Sequence, residues 1–350
     1  MDPAEGLIGR RAVLAGGAAM VVGGAGAEIG ARLDAAVAAG QLPGLHAVLV
    51  QQHGKVVVER YYAGADEAWG RPLGEVRFGP EVLHDLRSVS KSVVGLLYGI
   101  ALAAGKVPGP EVPLLDVFDY PDLAAEPARR ALTVGHALSM TLGIEWNEDL
   151  PYTDPRNGEI AMENAPDRYR YVLSRPIVEP PGTKWGYCGG ATALLGTLIA
   201  RGTGMALLDY AKAVLLRPLG IAAAEWSPGM NGEAAAASGM RLTAPGLVRI
   251  GQCVLAGGEG VVPAAWLEQS FVKRAAVDRE IDYGFQWYRY NGSSGGPPWM
   301  AGFGNGGQRL IVVPGLGLVV AIFCGNYNLP TQGAVPRRVF GEFIMGRPPR

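Results

Sequence analysis

Ser88 and Lys91 stand three residues apart at the head of the apolar run VSKSVVGLLYGIALAAG. A serine hydroxyl is a weak nucleophile until a neighbour takes its proton. At this spacing on a helix the two side chains share one face, a turn apart. A lysine can be that neighbour when burial favours its neutral form. Val93, Val94, Leu96, Leu97 and Ile100 supply the burial. A serine in the first helical turn also places its hydroxyl and backbone N–H at the positive helix end, suited to a developing oxyanion. On its own, S-x-x-K equally describes a capped helix whose lysine reaches back to water.

Two further segments turn the reading toward catalysis. In PPGTKWGYCGGATALLGTLI (180–199), Tyr187 follows a proline-rich turn and precedes a helix. A phenol there can pass protons between the serine, a leaving group and Lys91; standing alone it would read as a core tyrosine with a bonded hydroxyl. In AGFGNGGQRLIVVPG (301–315), glycines entering a strand allow close backbone approach of a substrate. The Gln308 N–H is the expected second oxyanion donor, beside that of Ser88. Gly302, Gly304 and Gly307 match G-x-G-x-x-G, but a β-rich run follows where a dinucleotide site needs a helix, so that reading is rejected.

The elements that position these boxes follow from periodicity. A helix is expected over 28–40 and a hairpin around His53-Gly54, then a loop and a helix over 86–106. Helical patterns broken by prolines fill 107–225 and recur near 243–256 and 263–275. Strands are expected at 283–290, 307–315 and 316–324, and a final helix at 333–345. Strands at both ends of the chain imply one sheet, with a helical insertion between them. The expectation is an α+β fold: a sheet-bearing domain from 28–106 and 226–350, a mainly helical domain from 107–225, and a site in the cleft between them.

Composition removes whole classes of function. The chain has 350 residues, with 31 basic against 32 acidic side chains and a net charge of −1. No basic block marks it for nucleic acid. Cys188, Cys253 and Cys324 form no disulfide framework and no C-x-x-C pair. His46, His53, His84 and His136 lack zinc spacing, and no histidine follows His136. With no G-x-S-x-G either, a nucleophile-elbow Ser-His-Asp hydrolase is disfavoured. At the N-terminus, Arg10-Arg11, an apolar run and Ala25-Gly26-Ala27 resemble a twin-arginine export signal over 1–27, too short and glycine-rich to be a stable membrane span. A periplasmic or extracellular location is expected, or a cytoplasmic one without that signal.

Ser88-x-x-Lys91, Tyr187 after PPGT, and Asn305-Gly306-Gly307-Gln308, in that order, resemble the serine β-lactamase and penicillin-binding-protein superfamily. The resemblance is to its class C-like branch of esterases, D-aminopeptidases and nylon-oligomer hydrolases, and covers roughly residues 30–345. It implies an antiparallel sheet flanked by helices plus a helical domain. It also implies an acyl-enzyme at Ser88, acid–base work shared by Lys91 and Tyr187, an oxyanion hole at Ser88 and Gln308, and no metal or organic cofactor. Lactamases of the family have Tyr-x-Asn where this chain has Tyr187-Cys188-Gly189, and a lysine where it has Asn305. Both departures favour a small, uncharged ester or amide over a β-lactam. The alternatives are a D-aminopeptidase, a weak β-lactamase, or a silent penicillin-recognising binding domain. Substrate contacts are expected from Asn305, Gly306, Gly307, Trp146 and Trp287, with Trp185 and Trp299 as further pocket candidates. By the resemblance, Asp154 and Asn157 lie near the entrance. Cys188 has no positioned histidine and reads as packing. The oligomeric state is left open.

Overall fold

The computed structural model describes residues 22–347. The export signal expected over 1–27 lies outside the described residues up to residue 21. Helix α1 (Val22–Ala38) already includes Ala25-Gly26-Ala27, so it begins ahead of the expected start at 28. Strands β1 (Leu45–Gln52) and β2 (Lys55–Tyr61) make the expected hairpin. His53 and Gly54 take φ of 47° and 78°, the left-handed pair a two-residue hairpin turn needs. The expected loop that follows is instead a second hairpin, β3 (Ala63–Ala68) and β4 (Arg71–Arg77), largely exposed and without an apolar alternation to announce it. Then come β5 (His84–Asp85) and α2 (Val89–Ala103).

From α2 to residue 223 the regular elements among the described residues are helical, the longest being Gly189–Thr203. Strands return as β6 (Ala224–Trp226), β7 (Met240–Leu242), β8 (Ala275–Ala276), β9 (Ile281–Tyr283), β10 (Tyr288–Tyr290), β11 (Trp299–Gly304), β12 (Gln308–Val313) and β13 (Leu318–Cys324). The single strand expected over 283–290 is two strands. Gln286 sits between them at φ 63°, its amide bonded to the carbonyls of Ala137 and Leu138 and to Thr192. These contacts with the helical segment override the local β pattern.

The main sheet has the order β2-β1-β13-β12-β11-β10-β9-β8, antiparallel throughout, so the first hairpin pairs with the last strand. Alternate residues of each strand face opposite sides. Ala47, Leu49, Leu310, Val312, Val319, Ala321 and Phe323 pack on one face against α2, the helix Ala244–Leu255 and the helical segment. Val48, Val50, Ile311, Val313, Val320 and Ile322 pack on the other, against Ile29 and Leu33 of α1 and Val339 and Phe343 near the C-terminus. With both faces covered, β13 reads LVVAIFC and is buried along its length. Helix α2 is enclosed on nearly every side, which is why its sequence is apolar all round.

Candidate active site

The turn into α2 is strained and heavily braced. Arg87 has φ 47°, a left-handed backbone that costs a non-glycine residue about 1–3 kcal/mol and persists only where its surroundings hold it. Its Nε lies 3.2 Å from Asp85, its Nη2 pairs with Glu67, and its guanidinium sits 4.8 Å over the Tyr327 ring. Asp85 also meets Arg241 at 3.0 Å and accepts the Trp69 N–H at 2.6 Å. Behind these, His84 Nδ1 donates to the Asp85 carbonyl at 2.9 Å, which leaves Nε2 to accept from His46 Nδ1, also at 2.9 Å. Burial lowers both imidazoles to about 3, so both are neutral at ordinary pH. Burial raises Asp85 to about 6.

His46, Asp66 and His84 are also the one cluster among the described residues compact enough for a metal ion. The histidines bond each other, Asp66 Oδ1 accepts from the Tyr327 hydroxyl at 2.8 Å, and the Arg241 guanidinium stands 3.5 Å from Oδ2. This set fits a brace for the turn better than it fits a metal.

Ser88 follows directly, at the N-terminal boundary of α2. Its side chain makes no capping bond, so the capped-helix alternative does not apply. Its Oγ accepts from Lys91 Nζ at 3.1 Å, and the same nitrogen donates to the Ala237 carbonyl at 3.0 Å. Lys91 is only 2% exposed and does not reach water. Its Nζ lies 4.9 Å over the ring of Tyr187. Burial, reinforced by Glu148, raises the Tyr187 phenol well above its usual value, with Ser88 acting in the opposite sense. The three residues of the first and second sequence boxes thus meet at one point.

They open on a cleft of about 500 Å³. The helical segment contributes Trp146, Glu148, Tyr152, Trp185 and Tyr187; the sheet contributes Tyr288, Phe303, Gly304, Asn305 and Arg309. On the helical side Glu148 is the hub, accepting from Trp146 Nε1 at 2.6 Å, Tyr152 OH at 2.9 Å and the Gly189 N–H. Burial raises its carboxyl, the neighbouring Glu159 raises it further, and Lys91 opposes both. A Cβ at Gly189 would stand 2.8 Å from Glu148 and 3.0 Å from Glu159. Two carboxylates therefore occupy the space where the lactamase pattern places an asparagine. Sequence reading passed over Glu148, since nothing in the local pattern of LGIEWNEDL separates it from a surface acid.

On the sheet side, β10 and β11 pair as far as Tyr288 with Ala301. The turn before β10 is closed by Gly284 N–H on the Trp287 carbonyl at 2.9 Å, so the polar groups of Tyr288 face β11 and those of Ala301 face β10. Two residues on, the N–H and C=O of Phe303 face the same way, onto an edge with no strand beside it among the described residues. Gly304 lets this edge approach the nucleophile turn: a Cβ there would stand 2.4 Å from the Leu86 carbonyl.

Several expected contacts need correction. Gln308 is fully buried, paired with Gly304 in the β11–β12 ladder, and its amide is bonded to Cys324, so it does not line the cleft. Gly306 and Gly307 (φ 85° and 105°) build the turn between those strands and face Tyr327 and Cys324. Trp287 has no exposure and packs edge-on against Phe271. Trp299 stacks on Tyr290 at 5.4 Å, on the sheet face that α1 covers. Asn157 caps the helix Gly158–Glu163, and Asp154 pairs with Arg156 at the surface. Trp146, Trp185 and Asn305 do line the cleft. The Cys188 thiol is buried and its pKa raised by that burial, which suits packing rather than nucleophilic attack.

Compared with known proteins, the chain matches the Beta-lactamase family over residues 29–338 and belongs to it. It is a hydrolase with the β-lactamase/transpeptidase fold. It is 27% identical over 295 residues to a 6-aminohexanoate-dimer hydrolase of Paenarthrobacter ureafaciens, covering 77% of this chain and 69% of that protein. Among solved structures it resembles EstCE1, a hydrolase with promiscuous acyltransferase activity, with TM-score 0.70, 14% identity, and 91% and 97% of the two chains covered. A penicillin-binding protein from Bacillus halodurans gives TM-score 0.68 at 14% identity, over 88% and 98%. No single helix among the described residues is long and apolar enough to cross a membrane.

Proposed function

We propose that the chain hydrolyses small esters or amides through an acyl-enzyme at Ser88. The carrying observation is the buried Lys91 Nζ at 3.1 Å from the Ser88 hydroxyl. The raised Tyr187 phenol is protonated at ordinary pH, which leaves Lys91 Nζ, at hydrogen-bond distance, as the group to receive the serine proton. Ser88 Oγ then bonds to the carbonyl carbon. The oxyanion is held by the Ser88 N–H at the helix start and, in place of Gln308, by the Phe303 N–H on the open strand edge. As the C–N or C–O bond breaks, Tyr187 gives its proton to the leaving group and regains one from Lys91. Water attacks the ester in the reverse sense, releasing the acid and restoring the serine.

The carboxylates around Gly189 argue against a β-lactam, whose side-chain amide would lose its asparagine partner. The relative that hydrolyses the 6-aminohexanoate dimer supports amides alongside esters. A D-aminopeptidase, a weak β-lactamase and a silent binder remain as outcomes of the test. Intact mass after fluorophosphonate treatment, with peptide mapping, is expected to show one adduct, on Ser88. A folded chain without an adduct would make it a binding domain. The arginine pair and apolar run ahead of Glu28 support export, which a secreted chain beginning at Glu28 would bear out.

A further inference from the structure

A second cavity, of about 310 Å³, shares no lining residue with the catalytic cleft. Ala193, Gly196 and Ala200 of the helix Gly189–Thr203 leave one wall without side-chain bulk, and Leu207, Tyr169 and Trp226 close the space. The Trp226 indole N–H is spent on the Ala235 carbonyl at 3.0 Å, so it offers only its ring. One charged side chain lines the cavity, Glu233, exposed at its mouth. It is held there. The buried Tyr169 hydroxyl donates to its carboxylate, its own N–H donates to Asn231 Oδ1 at 3.1 Å, and its carbonyl accepts the Gly229 N–H at 2.7 Å. Arg168 and Glu163, a buried pair at 3.3 Å, fix the same loop through the Met230 N–H on Glu163 at 3.3 Å. Yet no cation answers Glu233. Arg168 is committed to Glu163, and Arg168 and Arg201 lie 5.7 and 5.4 Å over the Tyr169 ring, but no basic side chain among the described residues pairs with Glu233. At Glu163 the charge of Glu233 is felt as a further negative one. A braced carboxylate at the mouth of an apolar, aromatic-lined pocket of this small size complements a small organic ammonium ion.

The run that carries Glu233, EAAAAS (233–238), leads directly to the catalytic lysine. Ala234 lines the cavity, and Ala236 packs on Gly196, where a Cβ would stand 2.5 Å from its own. The Ala237 carbonyl accepts from Lys91 Nζ at 3.0 Å. Ser238 donates to Glu159, which flanks Gly189 beside Glu148. We propose that this cavity is a regulatory site for a short-chain primary alkylammonium ion. The ammonium bonds the Glu233 carboxylate, the hydrocarbon lies against Trp226 and Leu207, and occupancy restrains the run that holds Lys91 beside Ser88, so binding and turnover are coupled. Binding here is independent of the hydrolase reading above; the effect on turnover rests on it.

The test uses the full chain, with n-hexylammonium and n-hexanol compared by calorimetry. The ammonium is expected to bind about tenfold or more tightly than the alcohol. Glu233→Gln should erase that preference, Ala200→Phe should weaken both ligands by filling the cavity, and Glu148→Gln, in the catalytic cleft, should leave the preference intact. Equal affinity for the two probes, no binding of the ammonium, or a preference that survives Glu233→Gln at an unchanged melting temperature would overturn the site. A preference lost in Glu148→Gln and kept in Glu233→Gln would put the cation in the catalytic cleft and overturn it equally. Glu233→Gln alters an exposed side chain, so it decides the question even where Ala200→Phe does not fold. At saturating hexylammonium, kcat for p-nitrophenyl acetate should change by about fivefold in the unaltered chain and stay constant in Glu233→Gln. Binding with an unchanged kcat rejects the regulation. Ammonium binding in a chain that forms no fluorophosphonate adduct on Ser88 rejects the hydrolase reading alone.

Discussion

The two walls of the cleft are built by different physics. The sheet wall takes its geometry from strand register: Phe303 opposes Arg309 and Gly304 opposes Gln308, so each cleft-facing group follows from the ladder. The helical wall has no ladder near the site. Glu148 is positioned there by bonds from Trp146 and Tyr152 in its own loop and from the Gly189 backbone, 41 residues on, which tie that loop to the start of the next long helix. A wall set by register tolerates changes of side chain, because the backbone carries its function. A wall set by convergent polar bonds is sensitive to single atoms.

Substitutions can break or sharpen this contrast. The largest effect is expected between the walls: Ser88→Ala should lower ester turnover by about 10⁴-fold or more with little change in melting temperature, measured by steady-state kinetics and calorimetry. Tyr187→Phe, on the helical wall, should cost about 10²–10³-fold in turnover through loss of the proton relay. Gly189→Asn alone should destabilise the chain by about 1–3 kcal/mol in denaturant titration, because its Cβ meets Glu148 and Glu159. It should yield β-lactam turnover only when Glu148 is shortened as well; turnover from Gly189→Asn alone would show that the carboxylates do not control substrate choice.

The brace behind Arg87 gives a pH signature. His46 and His84, at about 3 against an ordinary 6.5, bind fewer protons folded than unfolded, so they add stability as pH rises from 3 to 6.5. Asp85, at about 6 against 3.8, holds its proton in the folded chain and removes stability as pH rises from about 4 to 6. Two larger displacements outweigh one. Unfolding free energy should rise by on the order of a few kcal/mol between pH 4 and pH 7. A flat profile would mean that the imidazoles are not buried neutral. The smallest effect is expected at the entrance: Asp154→Ala, breaking a surface pair, should change stability by less than about 0.5 kcal/mol and leave KM unaltered.

What was legible in the sequence divides along the same line. Ser88 and Lys91 could be paired because a helix fixes the i,i+3 relation locally. The first hairpin could be read from His53-Gly54, and β12 and β13 from their apolar runs. Tyr187 could be placed on a loop before a helix, but its approach to Lys91 depends on how the helical segment packs. Trp287 was misassigned because an aromatic run gives no sign of which residue faces inward once Gln286 breaks the strand. Glu148 stayed hidden because it matters through the donors that surround it in the folded chain.

The pairing of β1 with β13 also orders events in time. Leu45 opposes Cys324, so the central ladder cannot close until nearly the whole chain has been made. Helix α2 packs on β11 and β12, strands from the same late stretch. Contacts this remote in sequence are slow to form and pay a large loop-closure entropy. During synthesis the Ser88 segment therefore exists for a long interval as an apolar helix without its sheet. A nascent chain would expose a sticky surface but no open strand edge beside Ser88, so hydrolytic competence arrives only once β11 to β13 have been made.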